Sequence, residues 1–576
     1  MENIEIARLL AETADLMEIA AEDGFRIRSF RNAASVIEGY PERIASILHD
    51  PSRKVTDIPG IGKGIATVLA ELDQRGSFSK RDELLEIYPP TALEMLHIQG
   101  LGPKTIALLI AEFRISTLDD LKRLAEEQKI RTLPRLGAKL EEKILRGIEQ
   151  YRKSAGRFLL NFAAQTAAEL SAFLSAVDGV SQVTPAGSFR RAKDTVGDLD
   201  LLVTGPAPEA ALDAFAAHPK LHELLAKGDN KASGRFGIEG IQVDVRALPS
   251  SHFGAALQYF TGSKEHNVAL RQRALRMGLT LNEYGLFTLE GNELVAAATE
   301  EEIYAKLGLA WIPPELRENQ GEIEAAERNE LPALLTLEDI RGDLHMHTRE
   351  SDGRASLEEM AETARGHGYS YLAITDHSKA LAMANGLNEE RVLALAQRVN
   401  ALDHEALGIR VLSGIECDIL KDGRMDLDDE ALASLDLVIA SVHSYMNLSS
   451  EEMTDRYLRC LENPYVKVIG HPTGRVLLHR DAFVYNFETI AAEAARRGVA
   501  MEINASPERL DLHASLIRIA KAKGCRFTIS TDAHHPKHMA NMQYGVRMAR
   551  RGWLTAADVL NTLPYAAFRG ALRKAS

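Results

Sequence analysis

Gly187-Ser188-Phe189-Arg190-Arg191 is followed shortly by Gly197-Asp198-Leu199-Asp200-Leu201, and the reading of this stretch decides the fold. The apolar run Leu199 to Val203 reads as a strand. A side-chain period of two then points Asp198 and Asp200 to one face and Leu199 and Leu201 to the other. Further on, Gln242-Val243-Asp244-Val245-Arg246 alternates in the same way and offers a third carboxylate. Three acidic groups on neighbouring strands repel one another. The usual reason to keep them together is a pair of divalent cations about 3.5–4 Å apart that activate an attacking oxygen and stabilise a leaving one. A Gly-Ser turn with two arginines beside it supplies amides, a hydroxyl and positive charge for a polyphosphate. Taken alone, an Asp-x-Asp pair is more often a solvated edge strand; the Gly-Ser-x-Arg-Arg preamble and the third aspartate turn the balance.

These elements, with Tyr259-Phe260-Thr261-Gly262-Ser263 downstream, resemble the palm and nucleotide-binding parts of a family X DNA polymerase. The resemblance implies that Asp198, Asp200 and Asp244 are catalytic ligands of Mg²⁺ or Mn²⁺. It implies that Gly187, Ser188 and Arg191 hold the triphosphate. Tyr259, Phe260 and Gly262, read as a turn before a helix, would face the nucleotide sugar. Asn267 and Arg271 would touch the new base pair and the template.

The chain has 576 residues, 45% of them hydrophobic, which suggests several domains, each with its own core. No apolar run approaches the ~18 residues of a membrane span, and the acidic start Met-Glu-Asn-Ile-Glu is unlike a signal peptide. Cys417, Cys460 and Cys525 form no Cys-x-x-Cys pair and read as core thiols of a reduced, cytoplasmic, nucleoid-associated protein. A net charge of −14 argues against nucleic-acid binding through a global field. Local basic patches, amides and metals must carry such contacts.

In the first third, Asp57-Ile58-Pro59-Gly60-Ile61-Gly62-Lys63-Gly64-Ile65 is echoed by His97-Ile98-Gln99-Gly100-Leu101-Gly102-Pro103-Lys104-Thr105. A tight Gly-x-Gly turn leaves the N–H groups of the following helix free to meet a phosphate. Both copies resemble helix-hairpin-helix motifs, which grip the DNA backbone without reading sequence; Gly60, Gly62, Lys63, Gly64, Gly100, Gly102 and Lys104 are the expected contacts. A third, worn copy has Arg135 at its first glycine position. In the family the first hairpin can carry a Schiff-base lysine for lyase chemistry; here the matching position is Val68, so that route is not expected.

From Asp343 onward, short apolar runs separated by helical stretches indicate a β/α repeat. Nearly every run ends in a possible metal ligand: His345 and His347 with Asp352 close behind, His377, Glu416, His443, His471, then Asp532 and His534. Parallel-stranded barrels put their chemistry at these C-terminal strand ends, and nitrogen and oxygen ligands without a thiolate suit Mn²⁺, Zn²⁺ or Fe²⁺. This part resembles the polymerase-and-histidinol-phosphatase (PHP) phosphoesterases. The resemblance implies up to three divalent metals: one held by His345, His347, Glu416 and Asp532, one by Glu416, His443 and His471, one by Asp352, His377 and His534. Asp376 is a candidate to orient an imidazole, and Arg475, His479 and Arg480 are candidates to engage phosphate.

The expected fold is multidomain: an α-helical helix-hairpin-helix N-terminal region (1–85 and 86–150), an α+β nucleotidyltransferase palm (151–250), a nucleotide-binding, thumb-like part (251–316), a charged linker (317–339) and a C-terminal (β/α) PHP barrel (340–576). This order resembles that of the bacterial family X DNA polymerases. The resemblance implies a monomeric repair polymerase that fills short gaps in gapped or primed double-stranded DNA from dNTPs, with a PHP-domain 3′→5′ exonuclease, abasic-site cleavage and 3′-phosphate removal being further activities of such domains. The rival readings are a hydrolase whose polymerase core only holds DNA, a small-molecule phosphatase, and a non-catalytic scaffold for DNA ends.

Overall fold

The computed structural model describes the chain except residues 2, 39, 41, 97, 99, 100, 134, 135, 155, 238, 479 and 573–576. The expectations for Gly100, Arg135 and His479 therefore fall outside the described residues.

The N-terminal region is helical, with its own apolar core. In the helix Asn3–Ile19, Ala7, Leu10, Ala14 and Met17 form the buried stripe expected from their spacing. Gly60 has φ +94°, and a Cβ there would lie 2.8 Å from Nδ2 of Asn32. Gly62 and Gly102 are N-caps of the helices Lys63–Arg75 and Pro103–Phe113, and neither helix has a side-chain cap. Lys63 thus begins the second helix of its hairpin instead of lying in the turn.

The palm is a five-stranded sheet in the order Gln182–Pro185, Asp198–Thr204, Ile241–Leu248, Lys231–Phe236, Leu221–Lys227. The two carboxylate-bearing strands are parallel neighbours with Asp200 paired to Asp244. Leu199, Leu201, Val203, Val243 and Val245 are buried on the other face. The thumb-like part contains the helices Phe253–Thr261 and Lys264–Arg276 and a three-stranded antiparallel sheet.

The C-terminal part has seven parallel strands in sequential order, from Gly342–Asp343 to Phe527–Ser530. A parallel bridge between Met346 and Ala533 joins the first strand to the last, so the sheet curls into a barrel. Cys417, Cys460 and Cys525 are buried free thiols.

The segment 317–339 is not the loose charged linker its composition suggests. Arg317 and Glu322 are fully buried. Arg317 donates to Glu300 from both terminal nitrogens, at 2.5 and 3.1 Å, and from Nε to the Ile312 carbonyl at 2.8 Å. Glu322 meets Nδ1 of His266 at 2.6 Å, and the other ring nitrogen meets Tyr304 Oη at 2.8 Å. Glutamates that look solvated in sequence are here the counter-charges of a folded junction. Replacing Arg317 by Met leaves the buried Glu300 carboxylate with Arg190 and the Trp311 indole N–H, one positive charge in place of two. Arg317→Met should lower stability by about 3–5 kcal/mol, read as a large fall in the thermal unfolding midpoint; an unchanged midpoint would show that the pair contributes nothing.

Candidate active sites

The palm site is built by two strands and one turn. Asp198 and Asp200 project from one strand and Asp244 from the next. Gly187 opens the short helix Gly187–Arg190 beside them with φ +61°, and a Cβ there would sit 2.7 Å from Oδ2 of Asp200. Only glycine lets the turn approach the carboxylate this closely. Ser188 lies in the same short helix.

Burial and the neighbouring Asp198 push the Asp200 carboxyl up to about 7. Asp198 is also raised, by burial and by Asp244. Asp244 goes the other way: burial would raise it, but hydrogen bonds from Lys231 and Ser233 hold it below the usual range. Lys231 Nζ is 2.5 Å from Asp244, and Arg246 lies 3.6 Å from Asp244 and 3.9 Å from Asp200. Sequence reasoning missed Lys231; its signal was a lysine on the strand that pairs with the Asp244 strand.

Arg191 donates to the Thr261 carbonyl at 2.5 Å and to Glu318 at 3.1 Å. Gly262, with φ +69°, leaves room for it: a Cβ there would stand 3.0 Å from the guanidinium. Tyr259 and Phe260 occupy the last turn of the helix Phe253–Thr261, not a turn before a helix. Their rings meet edge to face, and the Arg246 guanidinium lies 4.1 Å above Phe260. Asn267 is buried, accepting from Gln258 and donating to the Tyr259 carbonyl, both at 2.7 Å. Its amide thus ties the helix Lys264–Arg276 to the helix that carries Tyr259. Arg271 stays exposed.

The second site lies at the C-terminal mouth of the barrel and gathers all nine expected ligands. Three groups have ligand atoms within 4.8 Å of one another: His347 with Asp352, His377 and His534; His345 with His347 and Asp532; His377 with Glu416 and His443. His471 Nε2 is 2.8 Å from Glu416 Oε1, so Glu416 stands between the groups. Nε2 of His345 and Nδ1 of His347 are buried without a hydrogen-bond partner, and Nδ1 of His377 and Oε2 of Glu416 stand 2.8 Å apart without the geometry of a hydrogen bond. Buried polar atoms are rarely left this way; lone pairs aimed at a shared point are what cations require, and this donor set fits divalent metals. His471 and Asp532 hold positive φ, 26° and 53°, the kind of backbone strain that accumulates at functional sites.

Around these ligands lie residues the sequence reading did not single out. Glu502 holds Nδ1 of His345 at 2.7 Å, Asp418 holds Nδ1 of His443 at 2.5 Å, and Asn504 donates to Asp532 at 3.1 Å. Such contacts fix ring orientation and raise ligand basicity. Burial opposes charge on His345, yet Glu502, Glu416 and Asp532 raise its pKa well above the ordinary histidine value. Asp376 does not orient an imidazole; it accepts from Thr348 N, Thr348 Oγ1 and Ser351 Oγ and ties down the following loop. Arg475 and Arg480 are not free for phosphate either. Arg480 donates to the Gly474 carbonyl at 2.8 and 3.0 Å, and Arg475 reaches Asp194 of the palm at 3.0 Å.

The shift at Asp200 carries a stability consequence. A carboxyl raised from 3.8 to about 7 on folding costs stability as pH climbs through that interval. Asparagine at this position does not titrate. In EDTA at pH 8, Asp200→Asn should unfold at a higher temperature than the unsubstituted protein, with the gap closing towards pH 4. A gap independent of pH would contradict the assigned environment.

The two sites have counterparts among known proteins. Residues 1–78 match a helix-hairpin-helix domain and residues 92–150 a SAM-like helix-hairpin-helix tandem. Residues 256–318 match the DNA polymerase beta thumb and residues 343–506 the PHP domain. The DNA polymerase/3′-5′ exonuclease PolX of Bacillus subtilis (strain 168) is 37% identical over 562 residues, covering 97% of each chain. DNA polymerase lambda of Rattus norvegicus is 24% identical over 55% of this chain and 56% of its own. A probable phosphatase of Syntrophotalea carbinolica is 25% identical over 38% of this chain and 90% of its own. A PHP barrel with a complete set of metal-binding side chains, joined to a palm, a thumb and helix-hairpin-helix domains and similar to one bacterial relative nearly end to end, places this chain in the bacterial family X DNA polymerases.

Proposed function

We propose that the chain extends the 3′ end of a gapped or primed duplex at the palm and trims 3′ ends by phosphodiester hydrolysis at the PHP site, as a monomer acting in DNA repair. The observation that carries the polymerase half is the register of Asp200 against Asp244 beside the Gly187–Arg190 turn. For the nuclease half it is the set of buried, partnerless ligand atoms at the barrel mouth.

At the palm, Asp198, Asp200 and Asp244 hold Mg²⁺ or Mn²⁺, which when bound supplies Lewis acidity to the attacking 3′-oxygen and to the leaving pyrophosphate. Asp244, its charge favoured by Lys231, is suited to orient the primer hydroxyl. Ser188 and the amides of its turn receive the triphosphate, with Arg191 adding charge. Phe260 and Tyr259, stiffened by Arg246 and by the Asn267–Tyr259 hydrogen bond, form the wall that meets the sugar. Gly262 keeps Arg191 close to that wall, and Arg271 reaches the template side.

At the barrel, the nine ligands from His345 to His534 hold up to three Mn²⁺, Zn²⁺ or Fe²⁺ ions, which when bound supply an activated water and neutralise the phosphodiester. Glu502 and Asp418 keep His345 and His443 in the tautomer that presents Nε2. The hairpin turns around Gly60, Gly62, Lys63 and Gly64, and around Gly102 and Lys104, offer uncapped helix amides to the DNA backbone. Among the described residues no helix is long and apolar enough to cross a membrane.

A one-nucleotide-gapped duplex with Mn²⁺, with and without dNTPs, tests both halves in one gel. Asp198→Ala/Asp200→Ala should abolish extension and spare trimming; His345→Ala/His347→Ala should do the reverse. An unsubstituted protein that trims but never extends would leave the palm as a DNA holder.

A further inference from the structure

The PHP domain does more than share a chain with the polymerase: it grips the palm at the triphosphate-binding turn. The helix Met542–Arg551 of the barrel runs against residues 189–191. Arg547 donates to the carbonyls of Phe189 at 2.6 Å and Arg190 at 3.4 Å, and its guanidinium lies 5.1 Å from the Phe189 ring centroid. Arg551 donates from one nitrogen to the Arg191 carbonyl at 2.7 Å and to Glu318 at 3.0 Å. Glu318 is the same carboxylate that takes Nε of Arg191 at 3.1 Å, with Lys193 3.5 Å away. Four residues on, Arg475 of the barrel holds Asp194 at 3.0 Å. Both Arg551 and Arg475 are more than nine-tenths buried, and the apolar cores of palm and barrel are continuous.

We propose that Arg551 and Arg547 of the PHP domain are positioning residues for nucleotidyl transfer, fixing the turn and the Arg191 side chain that receive the incoming nucleotide. The proposal rests on the reading of Ser188 and Arg191 as triphosphate ligands. Within the palm, the N–H groups of Arg191, Lys193 and Ala192 hold the carbonyls of Gly187, Ser188 and Phe189 at 3.0–3.3 Å. The barrel arginines add a second donor to Phe189 and reach the carbonyls of Arg190 and Arg191 at the open end of the turn. Arg551 also shares the Glu318 charge. Without it, Glu318 would bind Arg191 and Lys193 more tightly and compete with the triphosphate for them. The barrel's metal ligands take no part in these contacts, so polymerase activity depends on the barrel's surface and not on its chemistry.

The test uses the full-length chain on a one-nucleotide-gapped duplex. It measures kcat and KM for the dNTP, and hydrolysis of bis(p-nitrophenyl) phosphate with Mn²⁺ in the same preparations. Arg551→Met should raise the dNTP KM by about tenfold or more, the scale of a lost charged hydrogen bond, with a smaller change in kcat. Phosphodiester hydrolysis should stay within about twofold. Arg551→Lys should recover part of the loss, and Arg547→Met should shift KM in the same direction. If Arg551→Met does not fold, Arg551→Lys and Arg547→Met carry the test between them. Arg191→Ala is the control for the underlying reading. If it raises KM while the Arg551 and Arg547 variants do not, the positioning role is wrong and the nucleotide site stands. If it leaves KM unchanged, the nucleotide reading fails and takes the proposal with it. Parallel loss of incorporation and hydrolysis in the Arg551 variants would also overturn the proposal, because it would mean the arginine only holds the barrel together.

Discussion

Ionisable groups held closer and drier than water would allow are the constraint on which this molecule is built. Asp198, Asp200 and Asp244 share one corner of the palm sheet, and burial drives Asp200 up to about 7. At the barrel mouth, carboxylates and imidazoles crowd so closely that several of their polar atoms face each other instead of a hydrogen-bond partner. Neither arrangement would persist for packing reasons, since an apolar replacement would cost less. Both are tolerable because the surrounding scaffold is stiff: a parallel strand pair in one case, a sequential seven-stranded barrel in the other.

The same electrostatic problem is solved differently at the domain junction. There no cation is needed, because arginines from one domain meet glutamates and carbonyls of another. Arg317 with Glu300, Arg191 and Arg551 with Glu318, and Arg475 with Asp194 form a set of buried pairs. Burial works against these carboxylates, but the surrounding guanidinium groups hold Glu300 down to about 2, with Glu318 and Asp194 also well below the ordinary range. A buried pair is costly to desolvate and gains little over an apolar contact, but it is directional. It therefore suits a junction where the turn Gly187–Arg190 is held in one orientation.

The strands that carry the three palm aspartates were legible because their alternation is short-range: Leu199, Leu201, Val243 and Val245 must be buried, which leaves the carboxylates on the opposite face. The barrel ligands were legible because each follows an apolar strand, and topology alone brings strand ends together. What failed did so for a common reason. Arg475 and Arg480 carry groups that could face a ligand, yet their partners are Asp194, remote in sequence, and the loop carbonyl of Gly474. Asp376 was misassigned likewise, its partners being the loop residues Thr348 and Ser351. Segment 317–339 reads as solvated because composition cannot reveal that His266, Arg191 and Arg551 wait for its glutamates.

By itself the sequence determined the family, the order of the helix-hairpin-helix, thumb and PHP parts, and the side chains that gather at the barrel mouth, because local periodicity and motif spacing encode these directly. Only the tertiary structure decided which ligands share a group, which arginines are spent on structure, and that the barrel holds the turn Gly187–Arg190 of the palm. Those outcomes depend on side chains hundreds of residues apart meeting within hydrogen-bond distance, as Arg551 and Arg191 do, and no local pattern records such a meeting.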